Sequence, residues 1–338
     1  MTSILLALGD SPAQNLSIFH PSSSSTEAIR TLSILLLAIS AFILVIVEAV
    51  LIYSILRFRH RGTTPGASEP PQVYGSQPIE IAWTAAPTLV VFVIVLVTAR
   101  TLWEVEPKPP EPKAGDKALF VTVIGRQWWW EYVYETYDGQ PLGFITANEL
   151  HIPAGDALTG RPVHLKLQSA DVCHSFWVPR LTGKMDLIPG RTNHLWFQTQ
   201  DTGVFLGQCA EYCGTQHAGM LLRVVVQKPT DFAAWVENQQ KPAVDDPEVR
   251  AGRDLFLGQS CANCHRIRGT SAVGTYAPDL THLMSRQTLA SGVAQNNPAD
   301  LRQWVADPQK IKPGCLMPAF GLSNQNVDLV VRYLQTLR

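Results

Sequence analysis

The chain has no excess of charge of either sign: 27 Lys and Arg stand against 28 Asp and Glu, for a formal net charge of -1 and a sequence pI near 6.7. Such balance offers no bulk attraction to a polyanion, which excludes nucleic acid as an electrostatic partner. Cysteine is sparse. The six, Cys173, Cys209, Cys213, Cys261, Cys264 and Cys315, do not read as a disulfide framework, because four of them sit in two tight clusters. Each cluster is followed by a histidine at ligand distance, the pattern of cofactor attachment. Cys173 and Cys315 receive no role. There is no internal repeat, so repeat architectures are excluded. The N-terminal run MTSILLALGDSPAQ lacks a basic n-region and is a poor signal peptide.

What the chain does have is length and two long apolar runs. Its 338 residues exceed one typical domain and allow two modest cores plus membrane segments. TLSILLLAISAFILVIVEAVLIYSIL, from Thr31 to about Leu56, is longer than the roughly 20 apolar residues a spanning helix needs. IEIAWTAAPTLVVFVIVLVTA, from Ile79 to Ala99, is similar and contains Pro87, which membrane helices tolerate. The expected hairpin occupies 31–103, with helices at about 31–56 and 79–101. Arg57, Arg59 and Arg61 follow the first span, and basic clusters mark the cytoplasmic side. Both termini are therefore expected outside, with 1–30 as an extracytoplasmic segment in a cell (inner) membrane protein.

A proline-rich spacer is expected at 104–117. From 118 to 228, short runs such as LFVTVIG, WWWEYVYET, PVHLKLQ, RTNHLWFQT and MLLRVVVQ, broken by Gly, Pro and Asp, indicate an all-β sandwich or barrel. A part-helical, polar linker is expected at 229–247. Helical signals then dominate 248–338, including EVRAGRDLFLGQ and the amphipathic NVDLVVRYLQTL.

GQCAEYCGTQHAGM places Cys209, Cys213, His217 and Met220 within one loop, beside Glu211. Soft sulfur donors with imidazole select copper, and a second thiolate lets the loop hold two ions. The pair needs another imidazole, and His174 in SADVCHSFWVP lies roughly 35 residues upstream. Zinc remains open on a count of two Cys and two His, with the methionine against it. ADVCHSFWVPRLTGKMDLIPGR followed by GQCAEYCGTQHAGM resembles the copper-binding domain of cytochrome c oxidase subunit II, over about Thr31 to Val226, with GRQWWWEYVY as that family's aromatic strand. The resemblance implies a cupredoxin-like fold and a dinuclear copper centre (CuA). In it Cys209 and Cys213 bridge the ions, His174 and Met220 complete one, and His217 with the Glu211 carbonyl completes the other. It also implies that the Glu211 carboxylate faces a magnesium ion at the interface with subunit I. Cys173 stands where the family usually has an aliphatic residue.

CANCH, with Cys261, Cys264 and His265, is a haem-attachment signature. A low-spin electron carrier needs a sixth ligand, commonly methionine. Met317 in IKPGCLMPAF supplies it, with Met284 as the less suitable candidate because a helix is expected around it. The segment resembles class I cytochrome c, with APDLTHL matching that family's haem-edge stretch. Together the two resemblances imply subunit II of a caa3-type haem–copper oxidase, passing electrons from covalently bound haem c to copper and on to a proton-pumping subunit I.

By the same resemblance Glu80 lies near the entrance of a proton path and Trp128 on the electron path. A hydrated interfacial glutamate and a packing tryptophan are the plainer alternatives. Trp128, Trp129 and Trp130 are expected on one strand, with alternate faces. Glu48, inside the first span, has no motif behind it. Expected partners are subunit I, subunit III, membrane lipid, and a donor such as a cytochrome c or a cytochrome bc complex. Two rivals stay open: the equivalent subunit of a copper-containing nitric oxide reductase, and a membrane-tethered copper-delivery protein. A quinol oxidase homologue is disfavoured by the copper ligands.

Overall fold

Runs of Leu, Ile and Val with almost no charge form the two longest helices. The computed structural model describes residues 16–59, 72, 74–105, 117–155 and 161–338. The helices are α1 (Ser24–Phe58) and α2 (Gln77–Glu104). At 1.5 Å per residue, the 35 residues of α1 reach about 50 Å, beyond a bilayer's hydrocarbon core of about 30 Å. Both are apolar all round and exposed along their spans, the signature of a lipid-facing helix. Glu27 in the first turn of α1 and Arg57 in its last complement the helix dipole. Pro87 sits inside α2 without ending it. Arg61, residues 1–15 and most of the proline-rich spacer lie outside the described residues.

A separate compact unit holds the rest of the described chain. Its first part is a sandwich of two five-stranded sheets. One contains β1 (Leu119–Arg126), β2 (Trp129–Tyr137), β3 (Gln140–Ala147), β5 (Val163–Ser169) and β8 (Asn193–Phe197), in the order β3-β2-β1-β5-β8. The other contains β4 (Glu149–Pro153), β6 (His174–Trp177), β7 (Met185–Leu187), β9 (Gly203–Cys209) and β10 (Leu221–Gln227), in the order β4-β10-β9-β6-β7. Alternate residues such as Leu119, Val121 and Val123 point into one core with Trp130, Phe176 and Val224. β1 pairs β5, and β4 pairs β10, in parallel, which ties distant parts of the chain together.

One expectation changes. Trp128 is not on a strand: it lies with Gln127 in the turn joining β1 to β2, and β2 starts at Trp129. Trp128 therefore does not alternate with Trp130, which is fully buried against Phe176 at the centre of the sandwich. The helical part expected within 229–247 is α3 (Pro229–Gln240), whose Phe232 and Val236 enter the sandwich core. Trp235 stacks on His151, with ring centroids 4.3 Å apart.

The C-terminal part is a small helical domain around a second core. It runs through α4 (Arg250–Gly258), α5 (Cys261–Cys264), the short hairpin of β11 (Thr288–Leu289) and β12 (Ala294–Gln295), then α6 (Pro298–Ala306), α7 (Pro308–Ile311) and α8 (Asn324–Leu334). Gly252 lets α4 approach α8, since a Cβ there would lie 2.1 Å from the Leu329 carbonyl oxygen. The β11–β12 hairpin meets the sandwich. Glu149, 1% exposed, accepts from the Gln287 and Thr288 amides and the Thr288 hydroxyl, each at 2.9 Å. In the same hairpin Ala290 and Ser291 take left-handed backbone, with φ 53° and 61°, a conformation costing about 1–3 kcal/mol each. Contacts to the sandwich offset that cost: the Leu221 amide donates to Ser291 O at 3.1 Å, and the Ser291 hydroxyl donates to Leu221 O at 2.8 Å.

Candidate metal and haem sites

The end of β9, the start of β6 and the loop before β10 bring five sulfur and nitrogen donors together. Cys209 and Cys213, both 3% exposed, place their sulfurs 3.8 Å apart. His174 Nδ1 lies 4.0 Å from the Cys209 sulfur, and the Glu211 carbonyl oxygen lies 3.1 Å from it. Around the Cys213 sulfur stand His217 Nδ1 at 3.6 Å and Met220 Sδ at 3.8 Å. Sulfurs this close can share an ion on either side, since metal–thiolate bonds run about 2.3 Å. Two thiolates, two imidazoles and a thioether form a soft set that fits copper. Within it, His174, Cys209 and Cys213 form a compact buried cluster.

The metal-free pair shares its protons unequally. The Cys213 thiol hydrogen-bonds Cys209, which pushes the Cys209 thiol strongly down against the opposing effect of burial, with help from His174. Cys213 is correspondingly pushed up.

The sequence reading left Asp171 without a role, although it lies three residues before His174. Its carboxylate accepts from His174 Nε2–H at 2.7 Å, from the Val172 amide at 2.7 Å and from the Gln127 amide at 2.6 Å. Holding the proton on Nε2 leaves Nδ1 facing the sulfurs, as a carboxylate does behind a metal-bound histidine. Burial raises the Asp171 carboxyl, but the His174 and amide hydrogen bonds more than offset it and keep it below the usual range.

The helical domain contains a largely apolar cavity. Cys261, Cys264 and His265 line it together with Met317, while Met284 is not among its lining residues. His265 Nδ1 lies 2.8 Å from the Pro278 carbonyl oxygen, so the ring donates there and keeps Nε2 for the cavity. Burial pushes the imidazole down, favouring the neutral form a metal requires. Phe256, Leu301 and Leu334 supply apolar wall, and the donor set fits a covalently attached haem. The cavity also reaches the sandwich, where Gln127, Trp128 and Trp129 line it. Trp128 Nε1–H donates to the Cys213 carbonyl at 3.0 Å, and Gln127 Nε2 to the same oxygen at 2.8 Å.

The other expected residues lie apart. Glu80 occupies the first turn of α2 and Glu48 the interior of α1. The Glu211 side chain is exposed, as are Cys173 and Tyr212. Cys315 is half-buried and lies 3.3 Å from Gln309 Nε2.

Comparison with known proteins covers most of the chain. Residues 12–100 match the family described as cytochrome C oxidase subunit II, transmembrane domain, and residues 119–228 match its periplasmic domain. Residues 249–338 match cytochrome c. Cytochrome c oxidase subunit 2 of Alkalihalophilus pseudofirmus is 34% identical over 330 residues, covering 96% of this chain and 92% of the relative. The Bacillus subtilis protein of that name is 31% identical, covering 85% and 82%. The solved periplasmic domain of subunit II of cytochrome oxidase from Bradyrhizobium japonicum is 32% identical, with a TM-score of 0.33, covering 38% of this chain and 96% of that one. The chain therefore belongs to the cytochrome c oxidase subunit II family and carries a cytochrome c domain at its C-terminal end.

Proposed function

We propose that this chain passes electrons from haem c in its C-terminal domain to a dinuclear copper centre in its sandwich, and from there to an oxygen-reducing subunit I. One observation carries the reading: Trp128 lines the cavity containing Cys261, Cys264, His265 and Met317, and also hydrogen-bonds the backbone of Cys213. A single side chain thus bridges the two sites. Cys261 and Cys264 would tether the porphyrin, with His265 and Met317 as axial ligands. Cys209 and Cys213 would bridge the coppers, His174 and Met220 completing one and His217 with the Glu211 carbonyl the other. Bound there, these groups supply one-electron chemistry that the side chains lack.

The chain's own contribution is to orient and enclose. Pro278 and Asp171 fix the two imidazoles, and burial of Cys209, Cys213, His174 and Met220 keeps water from the sulfur cluster. The exposed Glu211 carboxylate is free to reach a magnesium ion at a subunit I interface. Arg57 in the last turn of α1 and Arg59 just beyond it support a cytoplasmic loop, with both soluble domains outside. Glu80 would then stand at the cytoplasmic mouth of a proton path. Subunit III and a donor such as a cytochrome c or a cytochrome bc complex complete the expected assembly.

The test is a Cys261→Ser, Cys264→Ser chain, assembled in the complex and mixed with the reduced physiological donor. Copper reduction should slow sharply while the copper spectrum stays normal. Reduction at the parental rate would show that electrons enter copper without passing haem c.

A further inference from the structure

Lys312 lies at the joint between the sandwich and the helical domain, and only 3% of it is exposed. Its Nζ donates to the carbonyl oxygens of Trp128 at 2.8 Å, Gly219 at 2.8 Å and Ala290 at 3.0 Å. Those three carbonyls belong to the β1–β2 turn, the copper-ligand loop and the left-handed turn of the β11–β12 hairpin. Three acceptors match the three N–H bonds of an ammonium, whereas a neutral amine would leave one carbonyl without a donor. Burial pushes the group down to about 7, and the nearby Cys315 and Cys213 oppose that fall. Three carbonyl oxygens converging on the nitrogen favour its charged form.

No carboxylate forms an ion pair with this ammonium among the described residues. A buried charge without a counter-ion is expensive to keep, and its field is weakly screened. That field falls on both sites. Lys312 lines the cavity that contains Met317, and the Gly219 carbonyl it binds is joined to the amide of Met220.

We propose that Lys312 is a positioning residue with an electrostatic role: its buried positive charge raises the reduction potential of haem c, and its three hydrogen bonds clamp Trp128 to the copper-ligand loop. This rests on reading Cys261, Cys264, His265 and Met317 as the haem site. A positive charge beside the cavity favours the state that has gained an electron, so removing it makes haem c a stronger reductant. Losing the hydrogen bonds releases the turn and the loop from each other.

The test compares Lys312→Met, which removes charge and donors, with Lys312→Gln, which removes charge and keeps a donor, both in the full oxidase complex. Spectroelectrochemical titration should show a lower haem c potential in both variants, with normal haem c absorption. Amide hydrogen exchange over 127–129 and 217–220 should quicken in the Met variant. The Gln variant decides the potential if the Met variant does not assemble, and since its two N–H bonds cannot serve all three carbonyls, exchange over the same segments should then quicken in it as well. A parental potential in both variants overturns the electrostatic role, and unchanged exchange overturns the clamp. Absence of covalent haem from the parent would instead overturn the underlying reading of the cavity, and the exchange result would still decide the clamp.

Discussion

Cys209 and Cys213 contribute two soft donors within a buried cluster, and serine in either place would offer a hard oxygen instead. Cys209→Ser or Cys213→Ser should abolish the mixed-valence copper signal in electron paramagnetic resonance while haem c stays attached. A normal two-copper signal in either variant would show that the sulfur replaced does not bridge. The choice between the two methionines of the helical domain rests on placement. Met317 lines the same cavity as the attachment motif, whereas Met284 is held in a short helical turn with its amide on the Leu337 carbonyl. Met317→Ala should remove the weak thioether-to-iron band and lower the haem potential, and Met284→Ala should leave both intact. The reverse outcome would move the axial ligand to Met284.

At the scale of elements, the contact of β4 with the β11–β12 hairpin concentrates on Glu149. Removing its carboxylate leaves the buried amide and hydroxyl of Thr288 without their acceptor, at a cost of about 1–3 kcal/mol for each orphaned group, and takes one from the more accessible Gln287 amide. Glu149→Ala should lower the melting temperature of the haem-bearing domain, followed by haem absorption, and an unchanged melt would remove the contact from the stability of the joint. None of this is legible in the sequence. Glu149 meets residues 138 and 139 positions away, Asp171 meets Gln127 across 44, and Lys312 meets Trp128 across 184. Most copper and haem donors, by contrast, cluster within two short motifs, and His174 and Met317 had to be brought from elsewhere in the chain. Strands β1, β2, β5, β8 and β10 are visible as runs of β-branched and aromatic residues. β6 and β7 are not, having four and three residues, and β3 is masked by Pro141 and by Gly143 at φ 68°. Trp128 was expected on a strand because three tryptophans in a row look like one; the chain turns at the first of them.

The whole molecule joins a membrane anchor, a copper-type sandwich and a cytochrome domain in one chain. Covalent fusion would make the proposed haem-to-copper step intramolecular, so its rate should not depend on the concentration of the complex. The proposed contribution of the membrane helices is Glu80, whose carboxylate stands in the first turn of α2. Glu80→Gln should slow proton-coupled turnover without altering the copper or haem c spectra, and equal turnover across the pH range would leave Glu80 a hydrated interfacial residue. The joint itself converges on Trp128, which lines the cavity and hydrogen-bonds the Cys213 carbonyl. Flash-initiated reduction of haem c in the Trp128→Gln complex, followed at the copper absorption band, measures the proposed route directly. Copper should be reduced more slowly than in the parent while both centres remain spectrally normal. An unchanged haem-to-copper rate would leave Trp128 a packing residue and send the electrons by another path.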